Sequence, residues 1–140
     1  MRDPIRSLAL AAAVCVFGSS AAAQDATQGT VWKNPANSVH VRIRPCGQGR
    51  CGTVVWANAK AKRDSARGGT KNLVGTELFR NFREVSPRVW KGKVFVPDIN
   101  GVFSGTATIK DQNTLVARGC LIGNFACKSQ TWTRVRSADH

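Results

Sequence analysis

No stretch of this 140-residue chain holds the roughly 20 apolar residues that a membrane-spanning helix requires. Its longest apolar run, Leu8 to Phe17, is shorter and is followed by polar Gln24-Asp25-Ala26-Thr27-Gln28, which sets a transmembrane anchor aside. Sustained helical periodicity is missing too. No Gly-x-Ser-x-Gly, His-Glu-x-x-His or phosphate-cradling glycine loop occurs, so the chain offers no nucleophile elbow, metalloprotease pair or nucleotide cradle. Acidic residues are scarce: eight Asp and Glu stand against 21 Lys and Arg, for a formal net charge of +13. Such an excess favours anionic partners such as lipopolysaccharide phosphates, envelope polymers, nucleic acid or an acidic protein. It reads equally well as a generally basic surface without a specific partner.

The N-terminus has a plan of its own. Arg2 and Arg6, the apolar run and Gly18-Ser19-Ser20-Ala21-Ala22-Ala23 follow the basic, apolar, small-residue order of a secretory signal, with cleavage expected after Ala23. Cys15 lies inside the apolar run with Val14 before it, where a lipidation site would have a small residue, so it leaves with the signal. Loss of Arg2, Arg6 and Asp3 lowers the charge from +13 to +12. Residues 24–140 then make one domain, long enough to bury roughly two-thirds of its unfolded surface.

That domain alternates with period two. In Ser38–Arg44, Val39, Val41 and Ile43 fall on one face and His40, Arg42 and Arg44 on the other, the pattern of a half-buried strand. Strands are expected at Thr30–Lys33, Ser38–Arg44, Cys51–Asn58, Leu73–Arg80, Val89–Val96, Val102–Lys110, Thr114–Cys120 and Cys127–Arg136. Eight suits a small closed barrel. Asp98-Ile99-Asn100-Gly101 and Asp111-Gln112-Asn113 read as tight turns between them; the first lacks the later acidic ligands of a calcium loop. Ala59–Lys71, with Lys60, Lys62, Arg63, Arg67 and Lys71 around Gly68 and Gly69, is expected to be a mobile basic loop.

Four cysteines remain after the signal. Cys46 and Cys51 flank one strand join and Cys120 and Cys127 another, so hairpins would bring each pair to bridging distance. Loop entropy alone would favour crossed pairs, at about 4–5 kcal/mol against about 2 for a short loop. Geometry decides for the local pairs. A zinc site is disfavoured by the wide spacings and by having only His40 and terminal His140 as imidazole partners.

A set of short motifs resembles one family along most of the domain. Gly29-Thr30-Val31-Trp32, Cys46-Gly47 to Cys51-Gly52-Thr53-Val54-Val55-Trp56, Leu73-Val74-Gly75, Trp90-Lys91-Gly92-Lys93-Val94-Phe95-Val96-Pro97, Arg118-Gly119-Cys120-Leu121 and Ser129-Gln130-Thr131-Trp132-Thr133-Arg134 are similar, in order over about 29–135, to the bacterial exported family called domain of unknown function 2147. The resemblance implies an all-β, up-and-down, eight-stranded lipocalin-like barrel, periplasmic or secreted, without an established activity. Two departures stand out. Two residues separate Gly29 from Trp32, where Gly-x-Trp is usual, and the basic loop replaces an acidic, Asn-Pro-containing stretch.

The resemblance also implies a closing role for Trp32 on the first strand and Arg134 on the last, with the guanidinium stacked on the indole. Trp56, Trp90 and Trp132 are candidates to line a cavity, against the commoner reading of core. Arg118 would enter that cavity if Val116 points inward and would be solvated if it points outward. The tip Leu121–Ala126 is unusually apolar for a hairpin; it would plug the barrel, guard its mouth or touch a membrane or partner.

The leading expectation is therefore an exported barrel binding a small apolar or anionic ligand, with no cofactor, no metal and no specific nucleic acid. One alternative is an envelope interaction protein that uses its basic surface, on an anionic polymer for example, and its apolar tip. The other is a small basic hydrolase or nuclease with His40 as base and Glu84 as partner. His40 lies on the charged face of a regular strand, so no catalytic residue is assigned. Non-reducing peptide mapping is expected to recover Cys46 linked to Cys51 and Cys120 linked to Cys127; a crossed link would contradict the hairpin register.

Overall fold

The structure is a computed structural model that describes residues 29–122 and 125–136; the expected signal, Cys15 and His140 lie outside them, as does part of the Leu121–Ala126 tip. Eight strands follow one another around a closed antiparallel barrel, each paired with its neighbours in sequence: β1 Val31–Lys33, β2 Val39–Cys46, β3 Gly49–Ala57, β4 Glu77–Ser86, β5 Val89–Val96, β6 Gly101–Asp111, β7 Thr114–Ile122 and β8 Phe125–Arg134. β1 pairs with both β2 and β8, so the sheet has no free edge.

An up-and-down order sorts the connections into two ends. At one end, here the helix end, lie residues 34–38, the long β3–β4 connection, residues 97–100 and the adjoining ends of β7 and β8. At the other, the hairpin end, lie the tight β2–β3, β4–β5 and β6–β7 turns. Cys46–Cys51 staples the hairpin end and Cys120–Cys127 the helix end.

The basic segment expected as a mobile loop is instead a helix, α1, at Ala59–Arg67. Asn58 caps it, its side-chain oxygen accepting from the Ala61 amide at 2.8 Å. Alanine, lysine and arginine are good helix formers, and the Lys60–Asp64 pair at 2.6 Å has the favourable i, i+4 spacing. Nine residues are too few to print a clear period on the sequence. Ser65 is fully buried beneath the helix, and the helix end at Gly68 presses on a short 3-10 turn at Pro97–Ile99.

Strand β4 also starts later than expected, at Glu77 rather than Leu73. Gly75 takes a left-handed φ of 93° and turns the chain, while the Gly75 amide donates to the Val54 carbonyl and the Val54 amide to the Thr76 carbonyl, tying residues 73–76 to β3. Leu73 is buried as a loop residue, not a strand residue. Further along β4, Asn81 has φ 49° and the pairing with β5 shifts register there, so Phe79 and Phe82 both turn inward despite their odd spacing.

The interior is filled by Trp32, Val41, Val54, Phe79, Phe82, Leu115 and Trp132. Phe79 meets Phe82 and Trp132 edge-on, with centroids 5.7 and 5.3 Å apart. These rings fit because small residues face them. A Cβ added at Gly92 would lie 2.5 Å from Phe82 Cδ2 and 2.7 Å from the Arg80 carbonyl oxygen. Gly92→Ala is therefore expected to cost about 1–3 kcal/mol in urea unfolding. Gly119→Ala, where an added Cβ meets nothing within 4 Å, is expected to change stability by no more than about 0.5 kcal/mol.

Candidate functional site

A half-open cavity of about 50 Å³ occupies the hairpin end of the barrel. Trp32, Ile43, Phe79, Phe82 and Trp90 form much of its wall, completed by Cys51, Ala107, Ile109 and Leu115. One charged side chain joins them, Arg50. The volume exceeds the roughly 10–15 Å³ that a single water needs, and falls short of the roughly 150 Å³ of an engineered apolar cavity that accepts benzene.

Local irregularity brings Arg50 into this wall. The β3–β4 register shifts between Arg50 and Gly52, and the consecutive residues Arg50 and Cys51 both reach the cavity. On a regular strand they would face opposite sides. The Arg50 guanidinium lies over the Trp90 ring, 5.7 Å from its centroid, and its Nη1 donates to the Gly49 carbonyl at 3.5 Å. A guanidinium over an indole places one positive charge in an otherwise apolar wall, where it attracts an anionic group.

The residues singled out from sequence divide among several places. Trp90 lines the cavity. Trp132 is buried at 6% exposure against Phe79, and its indole Nε1 has no hydrogen-bond acceptor among the described residues. Trp56 is a correction: it is 44% exposed on the outer face near the helix end, its ring 4.5 Å from that of His40. The cause is register, because Trp56 pairs with outward His40 while Val41 and Val54 point inward. Arg118 takes the solvated one of its two expected orientations and stays out of the cavity. Leu115 and Ala117 take the inner face of β7, which turns Val116 and Arg118 outward.

Trp32 and Arg134 are register partners across the β1–β8 seam. The guanidinium–ring contacts found among the described residues are Arg50 on Trp90 and Arg80 on Phe95, and the expected stacking on Trp32 is not one of them. The Trp32 indole donates instead to the Thr30 hydroxyl at 2.8 Å and presents its ring to the cavity. Arg50 and Phe82 were missed by strict alternation, since each owes its inward position to a register shift that no residue type announces.

The pairing of His40 with Glu84 is not assembled. His40 sits near the helix end and bonds Asn37 at 2.7 Å, whereas Glu84 sits near the hairpin end and accepts from the Arg88 amide at 3.1 Å. Among the described residues no group of three or more His, Cys, Asp or Glu is placed to hold a metal, and no helix is long and apolar enough to cross a membrane.

A closed, eight-stranded, up-and-down barrel with an apolar recess at one end defines a lipocalin-like protein. The chain belongs to the DUF2147 family, uncharacterized proteins conserved in bacteria, whose family model matches residues 30–134. Among solved structures it is similar to protein HP1028 of Helicobacter pylori, described as belonging to the lipocalin family, with a TM-score of 0.58 and 13% identity over 81% of this chain and 85% of that one. At that identity the likeness speaks for the fold. No curated protein matches.

Phe82→Ala is expected to cost about 3–5 kcal/mol, because it enlarges a space already incompletely filled. Ala107→Val, which fills part of the cavity from β6, is expected to leave stability unchanged or raise it by about 0.5–2 kcal/mol in the same urea titration.

Proposed function

We propose that this barrel is a binding protein for a small, mainly apolar molecule carrying one anionic group. The observation that carries the reading is a recess walled by apolar side chains with a single guanidinium, Arg50, held at its rim over Trp90. An apolar part would pack among Phe79, Phe82, Ile109 and Leu115, and an anionic group would be drawn by the Arg50 charge. A cavity of about 50 Å³ holds only a few heavy atoms, so a longer ligand extends through the mouth or parts the aromatic side chains around it. A fold shared with a lipocalin supports the reading at the level of architecture.

Two disulfides and a bacterial family fit export to an oxidising compartment, the periplasm or beyond. The reading assigns no catalytic residue, consistent with the separation of His40 from Glu84.

Displacement of 1-anilinonaphthalene-8-sulfonate, an apolar anion with environment-sensitive emission, tests it. The wild-type barrel is expected to bind the probe at one site and release it to short-chain fatty acids. Arg50→Gln is expected to weaken the acids about tenfold or more while leaving the matching alcohols within about twofold, as a charged hydrogen bond of roughly 1.5–3 kcal/mol predicts. Equal losses for acid and alcohol, or no saturable binding by the wild type, would overturn the proposal.

A further inference from the structure

Apolar side chains left in water are concentrated at the helix end, away from the cavity. Leu121, Ile122 and Phe125 are 61%, 74% and 76% exposed at the adjoining ends of β7 and β8, and Ile99 and Val102 are exposed at the neighbouring connection. Of the large apolar side chains exposed among the described residues, Val85 alone lies toward the hairpin end. These positions are continuous. The register that sets Ser104 opposite Cys120 brings Val102 level with Ile122, and Ile122 pairs with Phe125.

A basic collar adjoins this apolar edge. Helix α1 packs on the 3-10 turn that carries Ile99, and it contributes Lys60, Lys62, Arg63 and Arg67, with Lys71 just beyond. The acids at this end, Asp64, Glu77 and Asp98, are outnumbered. Asp64 is bonded to Lys60 and lies 3.5 Å from Arg67. Its carboxyl is held below the usual carboxylate range, first by the Lys60 hydrogen bond and then by the charges of Lys60, Arg67 and Arg63.

We propose that the helix end of the barrel docks on an anionic phospholipid bilayer, Leu121, Ile122 and Phe125 at the stapled ends of β7 and β8 entering the headgroup and acyl boundary while α1 lies on the charged surface. Leu121 and Ile122 are successive strand residues and point to opposite faces of the hairpin, so a single flat protein surface cannot cover both. A fluid phase can surround them. The tip suits that environment because the Cys120–Cys127 link and the Ile122–Phe125 pairing satisfy or constrain the backbone before it leaves water. Apolar insertion and attraction of lysines to acidic headgroups act together in interfacial binding. The cavity would face away from the bilayer, so this inference stands independently of the ligand reading.

Flotation with vesicles tests it, using phosphatidylglycerol mixed with phosphatidylethanolamine against phosphatidylcholine alone, at about 0.15 M salt. The wild type is expected to float with the anionic vesicles and not with the neutral ones. The triple variant Leu121→Ser, Ile122→Ser, Phe125→Ser and the triple variant Lys60→Gln, Lys62→Gln, Arg63→Gln are each expected to lower partitioning about tenfold or more, with unchanged circular dichroism. Phe125→Trp, which keeps the tip apolar, is expected to gain a blue-shifted emission component on anionic vesicles only. A wild type that floats with neither vesicle, leaving this edge for a protein partner, overturns the proposal. So does a serine variant that floats like the wild type, or a Phe125→Trp emission indifferent to anionic lipid.

Discussion

Everything in this molecule depends on a seam only three residues long. Strand β1 must pair with β2 on one side and β8 on the other, and Trp32 takes part in both registers, opposite Val41 and opposite Arg134. Backbone bonds extend the seam beyond the strand: Gly29 to Ile43, Ile43 to Thr30 and Val135 to Val31. Closure removes the two edges that an eight-stranded open sheet would offer to other chains. It also encloses Trp32, whose ring is nearly inaccessible and forms part of the cavity wall. The same side chain thus belongs to the structural seam and to the recess.

Closing eight strands leaves an interior about as wide as its side chains can fill. Phe79, Phe82, Trp32 and Trp132 fill most of it, helped by glycines where rings meet backbone and by the Asn81 irregularity that sends two phenylalanines inward. The remainder is collected at the hairpin end. There the shift at Arg50 adds a cation to an apolar wall. The helix end differs in chemistry, with exposed apolar side chains beside a helix of lysines and arginines. Two ends of one barrel therefore present different surfaces, and each end carries one disulfide.

The barrel was legible because its information is local and redundant. Alternation such as Val39-Val41-Ile43, turns such as Asp111-Gln112-Asn113 and cysteines flanking strand joins all state the same architecture. The resemblance of the tryptophan and cysteine motifs agreed with them. Helix α1 was hidden because nine lysine- and alanine-rich residues read equally as solvated loop; its decisive features are the Asn58 cap and the burial of Ser65. The cavity was only half legible. Trp90 was found by residue type, but Trp56 was turned outward by a shift in the β2–β3 register, while Arg50 and Phe82 were turned inward by shifts at β3–β4 and β4–β5; Arg118 lies outward by plain alternation. A single-residue shift reverses the face of a side chain. Period-two reasoning carries no information about where such shifts occur.

If the recess beside Arg50 takes up one small acidic molecule in the cell, the complex should survive gentle isolation. Native mass spectrometry of the protein taken directly from the cells that make it tests this most directly, since gentle ionisation preserves one-to-one complexes. A population heavier by the mass of one small acidic molecule is expected, released on collisional activation and absent from Arg50→Gln. A bare polypeptide mass throughout, or an adduct retained undiminished by Arg50→Gln, would contradict it.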